Sequence, residues 1–248
     1  TDLDFEIVSS GGTAKAISEA GIPVMKVSDY TGSPEILGGR VKTLHPKVHG
    51  GILARPNQAA DEKDLVDTGI RPFDLVVVNL YPFEQTIAQP EVTLADAIEK
   101  IDIGGPTMIR AAAKNHKYLT VLCNPDQYEG YVAAAKENDG VPPMAFRAQC
   151  AREAFWLTAN YDCAIAGYLT ETDAAEDQAM PAHYAVGGSL KQTLRYWMVR
   201  RSAASGYCAQ LQQPCGFGSG PAYYCRISLR RAPSGGSAQA YQSLRCFH

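Results

Sequence analysis

The sequence predicts an α/β protein built on a parallel sheet flanked by helices. Residues 73–80 and 118–123 are continuous apolar runs rather than alternating ones, which is typical of parallel strands that are covered on both faces. Helical patterns follow these strands, and a glycine-rich turn joins the first strand to the first helix. Strands that alternate with helices in this way favour a parallel sheet.

The first predicted unit is a strand at residues 5–9, a turn of small residues, and a helix at residues 14–20 that Gly21 ends. Backbone amides in such a turn allow a phosphate group to approach closely. The turn consists of Ser10, Gly11, Gly12 and Thr13. A plain capped turn without a ligand accounts for the same residues equally well. Because the chain opens directly on this strand, we expect that an earlier strand–helix unit is missing.

A basic segment at residues 40–51 is the second candidate binding feature. Arg40 offers a planar fork of donors, Lys42 a point charge and Thr43 a hydroxyl, and this combination suits a phosphate group. The alternative is a solvated loop without a ligand. The segment therefore predicts a phosphate clamp, which would act together with the glycine turn at the carboxyl edge of the sheet.

Two histidines in this segment are expected to be satisfied by their neighbours rather than to bind a metal. The spacing of His45 and His49 would suit a helix, but Pro46 is expected to disrupt one there. Before the segment, residues 23–27 predict a second strand and residues 28–39 a turn-rich stretch with a brief helical piece.

Polar residues follow the apolar run at residues 73–80, which we expect to be a fully buried strand. Asn79 and Tyr81 fall at its carboxyl end, and open parallel sheets bind ligands outside such ends. The structural alternative for Tyr81 is a core aromatic with a satisfied hydroxyl. Thr93 is then predicted to cap a helix that extends to Lys100.

Residues 101–116 carry the strongest pattern for chemistry. Asp102 precedes the pair Gly104 and Gly105, and Pro106 is expected to open a helix because its missing N–H costs nothing there. Free amides and the positive end of the helix dipole would face an anion or a developing oxyanion in this turn. An ordinary capped helix is the alternative.

The predicted helix that follows carries Arg110 and Lys114 one turn apart, so two cations share one of its faces. Further helices are predicted at residues 126–137 and 144–169. Three single cysteines in apolar surroundings are expected to be buried thiols. These are Cys123, Cys150 and Cys163.

Composition excludes several functional classes. A net charge of −3 with interleaved basic and acidic residues argues against nucleic acid or a membrane surface as the main partner. No apolar run is long enough to span a bilayer, and the polar first residues do not form a signal peptide, so we expect a cytosolic protein. Residues 197–248 are poor in acid and lack sustained periodicity, which predicts an unstructured tail.

Together these motifs resemble one known family, the bifunctional purine biosynthesis enzymes in which an AICAR transformylase is joined to an IMP cyclohydrolase. The resemblance extends from Phe5 to about Tyr168 and rests on five stretches. These are Ser10 to Thr13 and residues 28–32, 39–51, 79–83 and 101–116. It implies a cyclohydrolase domain with a methylglyoxal-synthase-like parallel sheet flanked by helices, which closes a formylated carboxamide ribotide into IMP with loss of water.

The resemblance also implies how the chain is divided. Residues 1–170 would form the cyclohydrolase domain, residues 171–196 a linker toward the family's transformylase domain, and residues 197–248 an unmatched tail. The cyclohydrolase step needs no cofactor, whereas the family's transformylase half uses 10-formyltetrahydrofolate. That half is not expected in this chain. The expected partners are a small purine nucleotide and a second copy of the chain in a homodimer.

Site residues carried over by position fall into two groups. The chemical residues would be Lys42, Tyr81, Asp102 and Lys114. The substrate-binding residues would be Ser10, Gly11, Gly12, Thr13, Arg40, Val41, Thr43, Val78, Asn79, Ile103, Gly104 and Gly105. No metal site is expected. Two alternatives keep the same architecture, namely a non-catalytic nucleotide or phosphate sensor and methylglyoxal synthase. A sensor would need the phosphate loops without Tyr81, Asp102 and Lys114 together.

Overall fold

The computed structural model describes residues 5–81 and 83–173. Strands and helices are interspersed along this part of the chain, although two or three helices in succession separate or follow several of the strands. In order they are β1 (Val8–Ser9), α1 (Gly11–Glu19), β2 (Met25–Lys26), α2 (Val27–Thr31), α3 (Pro46–Leu53), α4 (Ala59–Thr68), β3 (Leu75–Val77), α5 (Phe83–Ile87), α6 (Leu94–Glu99), α7 (Gly104–Lys114), β4 (Thr120–Leu122), α8 (Tyr128–Glu137) and α9 (Met144–Asp173). Short 3-10 turns occur at Leu37–Gly39 and Pro125–Gln127.

The four strands pair in parallel, which confirms the predicted sheet type, and an isolated antiparallel bridge joins Ile36 and Val41. β1 pairs with β2 in the register of Val8 with Met25, and β3 pairs with β4 in the register of Leu75 with Thr120. The two pairs remain separate two-stranded sheets within residues 5–81 and 83–173. Each strand is shorter than its apolar run because the chain leaves the ladder at both ends.

The core forms where α7 packs between the second sheet, α3 and α9. Ile109, Ala112 and Ala113 on α7 have no exposed surface, and all of β4 is buried. Alanine side chains let helices and strands approach closely, so the alanine-rich sequence of α7 suits a central position. Asn115, at the end of α7, donates two 2.8 Å hydrogen bonds to the carbonyls of Ile52 and Ala54 beside α3. These bonds fix the end of α7 against α3.

Several local predictions are confirmed. Thr93 caps α6 through a reciprocal capping box with Asp96. The helices predicted at residues 126–137 and 144–169 are present, and the second extends to Asp173. Gly21, with φ of +75°, follows the end of α1. Cys123 and Cys150 are buried, and burial raises the pKa of each thiol to about 11.

Other predictions are wrong. Pro46 does not disrupt a helix but begins α3, because its missing N–H falls in the first turn where no helical partner is needed. Residues 27–31 form α2 rather than a strand end and turn. Val77 on β3 is 47% exposed, so this strand is not fully buried. Cys163 is only partly buried.

None of the helices within residues 5–81 and 83–173 is both long and apolar enough to cross a membrane. The predicted linker and tail, from residue 174 onward, lie outside the described residues.

Candidate active site

The glycine turn and the basic segment lie side by side in the structure. Gly11 has a φ of +55°, and a Cβ atom on it would lie 3.3 Å from the Lys42 ammonium nitrogen. The lysine therefore passes directly over the start of α1, because Gly11 to Thr13, predicted as a turn, form the first turn of this helix. Lys42 also crosses Gly39, where a Cβ atom would lie 2.7 Å from the lysine Cε atom. Glycine at both positions gives the lysine side chain room to reach the turn.

We call Arg40, Lys42 and Thr43 the basic loop. The two cations of this loop, Arg40 and Lys42, each form an ion pair with a carboxylate. The Lys42 ammonium lies 3.6 Å from Glu35, and the Arg40 guanidinium lies 3.6 Å from Glu99 on α6. Solvent-accessible ion pairs of this kind contribute roughly 0–1 kcal/mol. An arriving phosphate can therefore replace these carboxylates at low cost.

The basic loop also reaches the start of α7. A Cβ atom on Gly104 would lie 2.8 Å from the Thr43 hydroxyl oxygen, so the loop packs tightly against the first turn of this helix. Lys42 and Thr43 are consecutive, yet one faces the turn after β1 and the other faces α7. The structure thus brings together three segments that the sequence predicts as parts of one site.

Asp102 is fastened to the helix that it precedes. Its Oδ1 atom accepts the N–H of Gly105 at 2.9 Å, and a Cβ atom on Gly105 would lie only 2.3 Å from Oδ2. The carboxylate consequently lies against the glycine and tolerates no larger residue there. The expectation of a free amide at Gly105 is wrong, because this donor already serves the carboxylate.

The backbone of Asp102 has a partner that the sequence patterns do not reveal. Its N–H donates to the hydroxyl oxygen of Tyr161 on α9 at 2.8 Å. Tyr161 is 7% exposed, and burial raises the pKa of its hydroxyl. No local signal marks Tyr161, because it lies in a long helix and the contact spans 59 positions of the chain. We call Asp102, Gly104, Gly105 and Tyr161 the Asp102 corner.

The residues after β3 have different surroundings, and one of them, Leu80, contacts this corner. Tyr81 is 73% exposed, so the alternative of a core aromatic is wrong. Leu80 packs on the first turn of α7, since a Cβ atom on Gly105 would lie 2.8 Å from it. The Asn79 amide donates to the Tyr128 hydroxyl on α8 at 2.7 Å, and the N–H of Val78 donates to the Leu122 carbonyl. Tyr81 and Asn79 are thus both exposed polar residues at this strand end.

Lys114 is not brought to Asp102. It is the last residue of α7, whereas Asp102 lies just before the first. The two residues are twelve positions apart, which at 1.5 Å per residue is about 18 Å along the helix axis. Ile103, the remaining predicted residue of this stretch, is 59% exposed beside the corner.

The two histidines of the basic segment contact neighbouring residues of the fold. His45 caps α3, because its Nδ1 atom accepts the N–H of Lys47 at 3.1 Å. The other ring nitrogen, Nε2, therefore carries the proton that faces the Ser33 hydroxyl at 3.2 Å. His49 contacts the His45 carbonyl through Nδ1, while its Nε2 atom is buried without a partner among the described residues. The prediction of satisfied histidines is confirmed for His45 and only half met by His49.

The fold and these loops define a class of protein, an α/β domain whose glycine turn, basic loop and helix start converge on one face. Residues 1–107 match the MGS-like domain family, and residues 112–217 match the AICARFT/IMPCHase bienzyme family. The solved structure of ForH is similar with a TM-score of 0.64 and 34% identity, covering 70% of this chain and 89% of that one.

Curated relatives narrow the class to one family. The bifunctional purine biosynthesis protein PurH of Synechococcus elongatus is 58% identical over 215 residues, which is 85% of this chain and 42% of the relative. PurH of Thermosynechococcus vestitus is 59% identical over 208 residues, 83% of this chain and 40% of the relative. The chain belongs to this family of bifunctional purine biosynthesis proteins. It spans about two-fifths of the length of these relatives.

Proposed function

We propose that this chain is an IMP cyclohydrolase, which closes 5-formamidoimidazole-4-carboxamide ribotide to IMP. The observation that carries the proposal is the bridge formed by Lys42 and Thr43. These consecutive residues contact the glycine turn after β1 on one side and the start of α7 beside Asp102 on the other. A ribotide with its phosphate at the turn and its base at Asp102 would touch both.

The reaction suits an enzyme that works without a cofactor. The carboxamide nitrogen attacks the formyl carbon, a C–N bond forms, and the formyl oxygen departs as water. An amide nitrogen is a poor nucleophile, so the site must hold the substrate folded, remove a proton from nitrogen and stabilise negative charge on the formyl oxygen.

The residues of the site divide these tasks. Asp102 orients or deprotonates the carboxamide, because its carboxylate is partly exposed at the start of α7. Tyr81, exposed at the end of β3, steadies the oxyanion together with the positive end of α7. The amide of Gly105 does not take part, since it holds Asp102 in place.

Phosphate binding falls to the basic loop and to the glycine turn. Arg40 and Lys42 exchange their carboxylate partners for the phosphate oxygens. The remaining predicted binding residues, among them Ser10, Gly12, Thr13 and Val41, border the same loops. Glycine turns at helix starts and guanidinium forks are suited to this ligand.

Lys114 is proposed as the proton donor to the departing oxygen, by resemblance to the family. Because α7 separates the two residues, Lys114 serves this role only if the substrate spans that distance or a second copy of the chain supplies its own Lys114 to the site. The proposal does not extend to the transformylase activity or its folate. A small purine nucleotide and a second copy of the chain are the proposed partners.

Ultraviolet detection of IMP formed from the formylated ribotide tests the proposal. The full chain is expected to form IMP, and Asp102→Asn is expected to abolish it while IMP still binds. Asn keeps an oxygen that can accept from Gly105, so this variant removes the charge without removing the contact. Binding of IMP without ring closure by the wild-type chain would instead favour a nucleotide sensor.

A further inference from the structure

Tyr161 joins two segments of the candidate site from a helix that lies behind them. Its hydroxyl accepts the N–H of Asp102 at 2.8 Å. Its ring packs edge-on against Phe83, with 6.2 Å between the ring centroids and 70° between the planes. Phe83 begins α5, two residues after Tyr81, and is 2% exposed. A single side chain of α9 therefore contacts the chain at Asp102 and the chain just after Tyr81.

The Tyr161 hydroxyl binds the backbone N–H of Asp102, which makes no hydrogen bond to α7. The carboxylate is fixed by the Gly105 N–H, but the backbone of residues 101–103 precedes the helix and makes no helical hydrogen bond through the Asp102 N–H. Tyr161 supplies that missing acceptor. Burial raises the pKa of the Tyr161 hydroxyl, and the contact uses only the lone pairs of its oxygen.

The ring contact fixes the second segment. Phe83 is enclosed by Tyr161 and also by Tyr168 two helical turns further along α9, at 5.8 Å and 84°. Edge-to-face packing of aromatic rings is directional, so it restricts where Phe83 can lie. With Phe83 held, the exposed Tyr81 keeps a defined position relative to α7.

We propose that Tyr161 is a positioning residue for ring closure, one that sets the separation of Asp102 and Tyr81 without touching the substrate. This inference rests on the proposed function. An error of about 1 Å in the placement of reacting groups costs on the order of a hundredfold in rate. A residue that anchors both groups therefore matters to turnover more than to substrate affinity.

The test compares Tyr161→Phe with Tyr131→Phe in the full chain. The first removes one hydroxyl and leaves the ring on Phe83. The second removes a hydroxyl from another buried tyrosine, on α8, which is 4% exposed and packs in the core. Three quantities are measured for each, namely the kcat and KM of ring closure, the thermal midpoint, and the hydrogen exchange of the Asp102 amide.

Tyr161→Phe is expected to lower kcat by about 10- to 100-fold with KM within about twofold, and to speed exchange of the Asp102 amide. Tyr131→Phe is expected to lower the midpoint without changing kcat or that exchange. Phe83→Leu, which keeps the hydroxyl contact, is expected to lower kcat while exchange at Asp102 stays slow.

An unchanged kcat and unchanged Asp102 exchange in Tyr161→Phe would overturn the inference, as would an equal fall in kcat for both tyrosine variants. The wild-type chain alone shows whether the proposed function fails, independently of the tyrosine variants. If the wild-type chain forms no IMP, ring closure by this chain is wrong, and positioning of Asp102 by Tyr161 is then decided by the exchange measurement.

Discussion

The Asp102 corner and the basic loop differ in how the chain holds them. Each group of the corner is fixed by a buried or part-buried contact, the Asp102 N–H by Tyr161 and the Asp102 carboxylate by Gly105. The cations of the basic loop form 3.6 Å ion pairs with Glu35 and Glu99, whose side chains are 39% and 62% exposed. One region is set before any ligand binds, and the other can rearrange.

This difference corresponds to two tasks. Groups that take part in proton transfer must keep their geometry, and rigid surroundings supply it. Groups that bind a phosphate must first break their ion pairs with other side chains. Weak ion pairs at the surface allow this at a small cost in free energy. We therefore expect changes in the corner to act on turnover and changes in the loop to act on affinity.

The largest effect is expected from the two proposed proton-transfer residues. Asp102→Ala and Lys114→Ala are each predicted to lower turnover by roughly a hundredfold to ten-thousandfold. Losing the Asp102 contact to Gly105 costs about 1 kcal/mol as a lost helix cap, and Lys114 at the end of α7 contributes about 0.3–1 kcal/mol through the dipole. Single-turnover ring closure and the thermal midpoint of both variants check this. Wild-type rates with a lowered midpoint would make both residues structural.

Gly105→Ala comes next and tests the rigidity of the corner. The new Cβ atom would lie 2.3 Å from the Asp102 carboxylate and 2.8 Å from Leu80, so the carboxylate must move. A displacement of this size is expected to lower kcat by about a hundredfold. Gly167→Ala on α9, outside the candidate site, is the matched control, because a Cβ atom there meets nothing within 4 Å. Equal kcat values for the two variants would show that the position of the carboxylate is not critical.

A smaller effect, of opposite sign, is predicted for the basic loop. Glu35→Gln removes the negative charge that competes for Lys42, so inorganic phosphate and IMP are expected to bind a few-fold more tightly, in line with exposed pairs worth roughly 0–1 kcal/mol. Titration calorimetry at low and high salt measures this. Glu19→Gln, which removes the exposed partner of Lys15 on α1, is the control. Weaker binding by Glu35→Gln would mean that Glu35 orients Lys42 rather than competing for it.

The smallest effect concerns a surface pair outside both regions. Arg71, which donates to Glu6 through two nitrogens, lowers the pKa of that exposed carboxyl. A lowered folded pKa means that the pair stabilises the chain above the unfolded pKa of Glu, about 4.3, and loses this contribution as the pH falls through the folded value. Glu6→Gln is expected to weaken slightly the pH dependence of the thermal midpoint below pH 5. At high salt, where the ion pair is screened, the midpoints of the variant and the wild type are expected to agree.

The segments of the candidate site are predictable because each is local in sequence. The glycine turn, the basic loop and the Asp102–Gly105 stretch are short patterns whose chemistry depends on neighbours in the chain. Tyr161 is different, since its role depends on a contact made 59 positions away and on burial that no helix pattern specifies.

Two errors in the fold have similar causes. Whether Pro46 breaks or begins a helix depends on where that helix starts, and His45 is not a typical capping residue. The apolar run at residues 73–80 indicates a strand but does not reveal how many neighbours cover it, so the exposure of Val77 was unforeseen.

The most direct test of the division between the two regions is the substrate dependence of ring closure for Asp102→Asn and Arg40→Ala in the full chain. The account predicts that Asp102→Asn loses kcat and keeps KM. Arg40→Ala is predicted to keep kcat and raise KM by about 10- to 100-fold, the value of a charge-assisted hydrogen bond of roughly 1.5–3 kcal/mol. A loss of kcat in Arg40→Ala with unchanged KM, or the reverse pattern in Asp102→Asn, would contradict it.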